Sequence, residues 1–322
     1  MRVLSKSKIQ MLCFLTVIIL TGCDRPNKTT QLKNNYAGYV QLDQGKMFYQ
    51  KFGSGTPIVV LHGGPGLDQN YLLPQMLDLA KNHEVIFYDQ RGTGKSLETK
   101  INPSFINIEQ FTRDLDALRK QLGIKKFILL GHSWGGLLAM NYSIAYPNYV
   151  SALILLSSAP ADFKGQQAFV TEFTKRTQPI KDEISPLVNY QEFQELTASE
   201  ISKLYRALFS VYFYEPKDVA ELTLNMSAIS AKQGAKVMRV MSKTSWIRPN
   251  TNLFPQLKKL TEPTLIIHGQ QDIVPLWTAQ EIKEAIPRAQ ILSLERCGHF
   301  PYIEKPDQVF FQINRFLTEV EK

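Results

Sequence analysis

The sequence predicts a doubly wound α/β fold: eight strands in a mostly parallel sheet, helices on both faces, and a helical lid inserted after the sixth strand. Three observations lead there. Short, continuous apolar runs such as Pro57-Ile58-Val59-Val60-Leu61 and Thr264-Leu265-Ile266-Ile267 suit strands buried on both faces of a parallel sheet. Most of these runs are separated by stretches of helical periodicity, the pattern of parallel strands joined by crossover helices. The alternation lapses between residues 161 and 255, where helical spacing continues without a clear strand pair.

The first segment stands outside this fold. Arg2, Lys6 and Lys8 precede an apolar run from Met11 to Leu20. That run is about half of the roughly 20 apolar residues needed to span a bilayer, and a small-residue site follows it, as in a secretory signal. Leu20-Thr21-Gly22-Cys23 resembles the bacterial lipobox. The resemblance implies a signal peptide over residues 1–22, lipid on Cys23 and a place on a membrane of the bacterial envelope. A plain signal peptide and an uncleaved anchor are the alternatives. Polar residues up to Tyr36 read as a tether, 23–36, between lipid and domain.

The remaining chain, with 44% hydrophobic residues overall, can bury a large core. The formal charge of +8 loses the three leader cations, 8 − 3 = +5, and the rest are scattered among acids. No basic run offers a nucleic-acid footprint. With Cys13 removed and Cys23 lipidated, Cys297 is left without a partner, so no disulfide framework is expected. No Cys/His cluster has metal-ligand spacing. Gly92-Thr93-Gly94-Lys95-Ser96 looks like the end of a phosphate-binding loop, but Asp89 stands where that motif needs glycine. No cofactor is expected.

Strands are expected at Gly38–Leu42, Met47–Lys51, Ile58–Leu61, Val85–Tyr88, Phe127–Leu130, Ala152–Leu156, Thr264–Ile267 and Ile291–Leu294. Between the fourth and fifth, Ile108, Phe111, Leu115, Leu118 and Leu122 recur every three or four residues and mark one helix face. Asn107 can cap that helix, Gln110 sits at the capping-box position and Gly123 ends it. A second helix should run from Trp134 to Tyr146 and stop before Pro147. A last one begins at Pro306, a first-turn proline, and turns Val309, Phe310, Ile313, Phe316 and Leu317 inward. The core is thus expected over 37–160 and 256–322. In 161–255, Ile201, Leu204, Tyr205 and Leu208 keep helical spacing. An insertion there lies over the carboxyl ends of the strands, where open α/β sheets bind ligands.

Gly131-His132-Ser133-Trp134-Gly135 follows a strand and opens a helix, which is the nucleophile elbow of an α/β-hydrolase fold. A sharp strand-to-helix turn exposes the serine Oγ, and the helix N-terminus favours a developing oxyanion. In that fold the order is Ser, then an acid, then His. Of the five histidines only His268 and His299 come after Ser133. His268 ends a strand and reads as structural, whereas His299 lies in the loop before the final helix, where the base belongs. Asp272, just past the seventh strand, is the expected acid, and Asp162, after the sixth, is its competitor. Glu295 reads as a surface residue. In the glycine-rich turn His62-Gly63-Gly64-Pro65-Gly66, the N–H of Gly64 is expected to pair with that of Trp134 as an oxyanion hole.

These motifs, with Asp89-Gln90-Arg91-Gly92-Thr93-Gly94-Lys95-Ser96, Gly269-Gln270-Gln271-Asp272 and Cys297-Gly298-His299-Phe300-Pro301, resemble the prolyl iminopeptidase group of α/β-hydrolases. The likeness covers roughly residues 36–160 and 256–320. It implies a serine hydrolase that removes N-terminal residues, often proline, from short peptides without a metal, holding the substrate amine with lid carboxylates. Glu215 and Glu221 are the candidates for that task, though neither lies in a matching motif. The chain departs from the group at His132, where glycine is common, and in a lid without tryptophan before Trp246. A carboxylesterase or lactonase would use the same triad, and a non-catalytic lipoprotein binding small molecules would use the same scaffold. Ser133 argues against epoxide hydrolases and haloalkane dehalogenases, which usually carry Asp at the elbow.

Overall fold

A computed structural model describes residues 36–97, 100–187, 189–244 and 249–322. The expected signal peptide, Cys23, nearly all of the tether and Trp246 lie outside the described residues.

Eight strands form one sheet: β1 (Tyr36–Gln41), β2 (Lys46–Gly53), β3 (Pro57–Leu61), β4 (Glu84–Tyr88), β5 (Phe127–His132), β6 (Val150–Leu156), β7 (Thr264–Gly269) and β8 (Ala289–Leu294). Their order is β1-β2-β4-β3-β5-β6-β7-β8. The β1–β2 and β2–β4 pairs are antiparallel, and every pair from β4 through β3 to β8 is parallel. Each strand falls within a few residues of its expected position, the usual scatter of element ends.

The central strands are apolar on both sides because both sides are covered. Val59, Leu129, Leu153, Leu155 and Ile266 pack on one face with Phe111, Leu115 and Leu138. Their neighbours Ile58, Val60, Ile128, Leu130, Ile154 and Ile267 pack on the other with Val309 and Ile313. Alternate side chains point to opposite faces, so a strand buried twice must be apolar throughout.

The helix Ile108–Gln121 begins as expected, with the Asn107 side chain accepting the Gln110 N–H at 2.8 Å. The reciprocal half of the capping box does not form. The Gln110 side-chain oxygen accepts instead from Arg113 at 2.5 Å, and its NH₂ donates to Asp114 at 3.0 Å. In the helix Pro306–Val320, Val309, Ile313, Phe316 and Leu317 are buried and Phe310 is half-buried. Between β6 and β7 lie the helices Phe163–Thr177, Tyr190–Glu195, Ala198–Ser210 and Ala228–Thr244, with short 3-10 turns between some of them. Ile201, Leu204, Tyr205 and Phe209 of Ala198–Ser210 join the same apolar cluster as the C-terminal helix.

Candidate active site

Ser133 is the single residue between β5 and the helix Trp134–Ala145, with φ 55° and ψ −121°. An L-residue at such a φ costs on the order of 1–3 kcal/mol and persists only where its surroundings enforce it. Here the enforcement comes from close backbone approach. A Cβ on Gly131 would run into the Gly135 carbonyl, and a Cβ on Gly135 into the Leu61 carbonyl of β3. Only glycine at both places lets the turn close this tightly. The strain leaves the Ser133 side chain without a capping hydrogen bond and partly exposed.

His299 and Asp272 come together from the two loops beyond β8 and β7. The His299 Nδ1–H donates to Asp272 Oδ1 at 2.8 Å. A carboxylate can only accept, so Nδ1 carries the proton and Nε2 keeps its lone pair. Asp272 Oδ1 also accepts the Val274 N–H at 2.8 Å. Burial opposes ionisation of Asp272, but His299, His268 and these two hydrogen bonds outweigh it and bring its pKa down to about 2. His268 Nε2 lies 3.5 Å from the other carboxylate oxygen and gives its proton to the Val274 carbonyl at 2.8 Å. Asp162 is elsewhere: it caps the helix Phe163–Thr177, its side chain accepting the Gly165 N–H at 2.8 Å.

His132, the departure from the family pattern, ties the elbow to the His299 loop. Its Nε2 bonds the His299 carbonyl at 2.9 Å and therefore donates, leaving Nδ1 to accept from the Tyr71 hydroxyl at 2.8 Å. Tyr71 in turn accepts the Gly63 N–H at 2.6 Å. Burial, helped by the nearby His299, lowers the His132 pKa to about 3, so this chain of bonds is neutral at physiological pH. The two imidazole centroids are 4.9 Å apart, which sets His299 beside the elbow. The Gly63 N–H is thus engaged, whereas the Gly64 N–H has no acceptor among the described residues. Trp134 is anchored across the site, its indole Nε1–H donating to Gln90 at 2.9 Å, while Gln90 donates to the His62 carbonyl at 2.7 Å.

The loops are braced by side chains that periodicity and motif spacing did not single out. Glu304 accepts the N–H groups of Gly298 at 2.9 Å and Phe300 at 3.2 Å, on either side of His299, and that of Tyr214 at 2.8 Å. The His299 N–H itself goes to the Tyr212 carbonyl at 2.8 Å. Arg176 donates to the carbonyls of Gln271 at 3.0 Å and Asp272 at 3.1 Å. A single carboxylate thus fixes the His299 loop from both sides. Glu304→Gln would turn an acceptor into a donor facing N–H groups, and a shift near 1 Å at a reacting group costs about 10²-fold. We expect kcat to fall by about 10- to 100-fold while the protein stays folded. Unchanged kcat would remove Glu304 from the machinery.

Glu215 and Glu221 are both exposed, at the two ends of the 3-10 turn Pro216–Glu221. Among the described residues neither bonds to Ser133, Asp272 or His299, and neither is buried. In the aromatic run Tyr212-Phe213-Tyr214 just before Glu215, Phe213 is buried and stacks on Phe300, but Tyr214, Glu215 and Pro216 are exposed.

Comparison with known proteins agrees with this architecture. Residues 56–306 match the family model described as alpha/beta hydrolase fold. A proline iminopeptidase of Heyndrickxia coagulans is 29% identical over 294 residues, covering 88% of this chain and 99% of that protein. Among solved structures, a proline iminopeptidase of Mycobacterium smegmatis superposes with a TM-score of 0.66 at 21% identity, covering 88% of this chain and 98% of that one. A thermophilic esterase from Thermogutta terrifontis gives 0.66 at 21% identity, over 90% and 100% of the two chains.

Proposed function

The chain belongs to the alpha/beta hydrolase family, and from that footing we propose that it is a serine aminopeptidase resembling prolyl iminopeptidase. The 2.8 Å bond between His299 Nδ1 and Asp272, beside a strained Ser133, carries the reading. His299 Nε2 takes the proton of Ser133, whose Oγ attacks the carbonyl of the substrate's first residue. The N–H groups of Gly64 and Trp134 receive the oxyanion, and Asp272 stabilises the imidazolium. His299 then protonates the leaving amine, and water repeats the cycle on the acyl-enzyme. Residues 161–255 act as the cap that closes over this centre.

The rival is a carboxylesterase or lactonase with the same triad, and the exposure of Glu215 and Glu221 favours it. A panel of aminoacyl-arylamides and short-chain aryl esters decides between them. Arylamides with a free amine should outrun their N-acetylated forms. Esters ahead of all amides by several decades would replace the aminopeptidase with an esterase. A fluorophosphonate probe separates both from a binding protein, because only an activated serine is labelled.

The location proposed with this activity is a membrane of the bacterial envelope, reached through lipid on Cys23. Metabolic labelling with a fatty acid should mark the mature protein, and Cys23→Ser should abolish both label and processing. Unlabelled wild type in a lipidating host would leave a plain signal peptide or an uncleaved anchor.

A further inference from the structure

An aminopeptidase must hold an ammonium group close to the scissile carbonyl. The amine nitrogen and carbonyl carbon of the first residue are about 2.5 Å apart, from their bond lengths and angle. A carboxylate that receives the amine therefore belongs beside the oxyanion turn. Asp68 is four residues beyond Gly64 and 2% exposed. Here the fold and the helical segment meet: Gly66 and Gly234 of the helix Ala228–Thr244 touch backbone to backbone, with no room for a Cβ on either. One turn earlier on that helix, buried Ser230 lies close to Asp68 and favours its ionised form. The charge of Asp68 is felt at Tyr71, whose hydroxyl links Gly63 to His132, and at Tyr205 of the helix Ala198–Ser210.

We infer that Asp68 is the carboxylate that receives the free α-ammonium group of the substrate, an inference that rests on the aminopeptidase reading above. Its local duty does not need a charge. Asp68 Oδ1 accepts the Asn70 N–H at 3.0 Å to open a short 3-10 turn, and asparagine or serine would cap that turn as well. Yet a buried carboxylate is costly without a cation, and among the described residues no lysine, arginine or histidine pairs with this one. The charged residue that acts on it most is Asp89, a second buried acid. Burial and that repulsion push the Asp68 pKa up to about 7. An arriving ammonium would supply the missing countercharge and hold Asp68 ionised.

Asp68→Asn and Asp68→Ser both keep the cap and remove the charge. For each, kcat/KM is measured on a prolyl- or alanyl-arylamide and on its N-acetylated form, next to wild type. The ratio of free to blocked substrate should fall by about 10- to 100-fold in both variants, the range for a lost charge-assisted hydrogen bond. If wild type prefers the free amine and both variants keep that preference, Asp68 is not the anchor and the aminopeptidase reading stands. A wild type with no preference overturns both.

Discussion

Ser133→Ala is expected to lower kcat by three orders of magnitude or more while leaving the protein as stable as wild type. The loss follows from the proposed acyl-enzyme route: without Oγ that route has no nucleophile for His299 to activate, and only binding and oxyanion stabilisation persist. The stability follows from the turn. The Ser133 side chain makes no capping hydrogen bond, so its Oγ contributes little to folding. The φ of 55° is imposed by neighbouring backbone and burdens alanine and serine alike. The measurement is kcat on whichever arylamide or ester the wild type turns over, with the thermal midpoint as a control for folding. Activity within tenfold of wild type on every such substrate would mean that the elbow does not carry the nucleophile.

The central strands β3 to β7 were legible because burial on both faces writes itself into sequence as uninterrupted runs, and the strands of the sheet begin or end within a few residues of their expected places. The elbow was legible because Gly131, Ser133 and Gly135 answer a local steric demand that no other spacing meets. What stayed hidden are bonds between residues far apart in the chain. Glu304 reaches Tyr214 across 90 positions, Arg176 reaches Asp272 across 96, and His132 reaches the His299 carbonyl across 167. Periodicity carries no trace of such pairs. Gln110 shows the same limit at short range: its spacing from Asn107 fits a capping box, but its oxygen finds a charged donor in Arg113 instead. Composition places Glu215 and Glu221 in a helical segment without telling which way the chain turns after Pro216, and both are exposed there.

Asp272→Asn is expected to lower kcat by about 10⁴-fold, the loss typical when this acid of a serine triad becomes an amide. The geometry shows why neither orientation of the amide serves. Asp272 Oδ1 receives both the Val274 N–H and the His299 Nδ1–H. If the asparagine oxygen keeps that place, the tautomer of His299 survives but the negative charge that stabilises its imidazolium is gone. Its NH₂ group then meets His268 Nε2, 3.5 Å from the present oxygen and itself a donor to Val274. If the amide flips, NH₂ faces both the Val274 N–H and His299, and imidazole must place its proton on Nε2, where it cannot take one from Ser133. Asp162→Asn is the matched control. Its oxygen caps the helix Phe163–Thr177 through the Gly165 N–H, a bond that asparagine keeps, so kcat should change by no more than a few-fold. The pair is read in parallel on one substrate. A collapse in Asp162→Asn with little loss in Asp272→Asn would move the acid to the end of β6 and require His299 to turn away from the loop that now holds it.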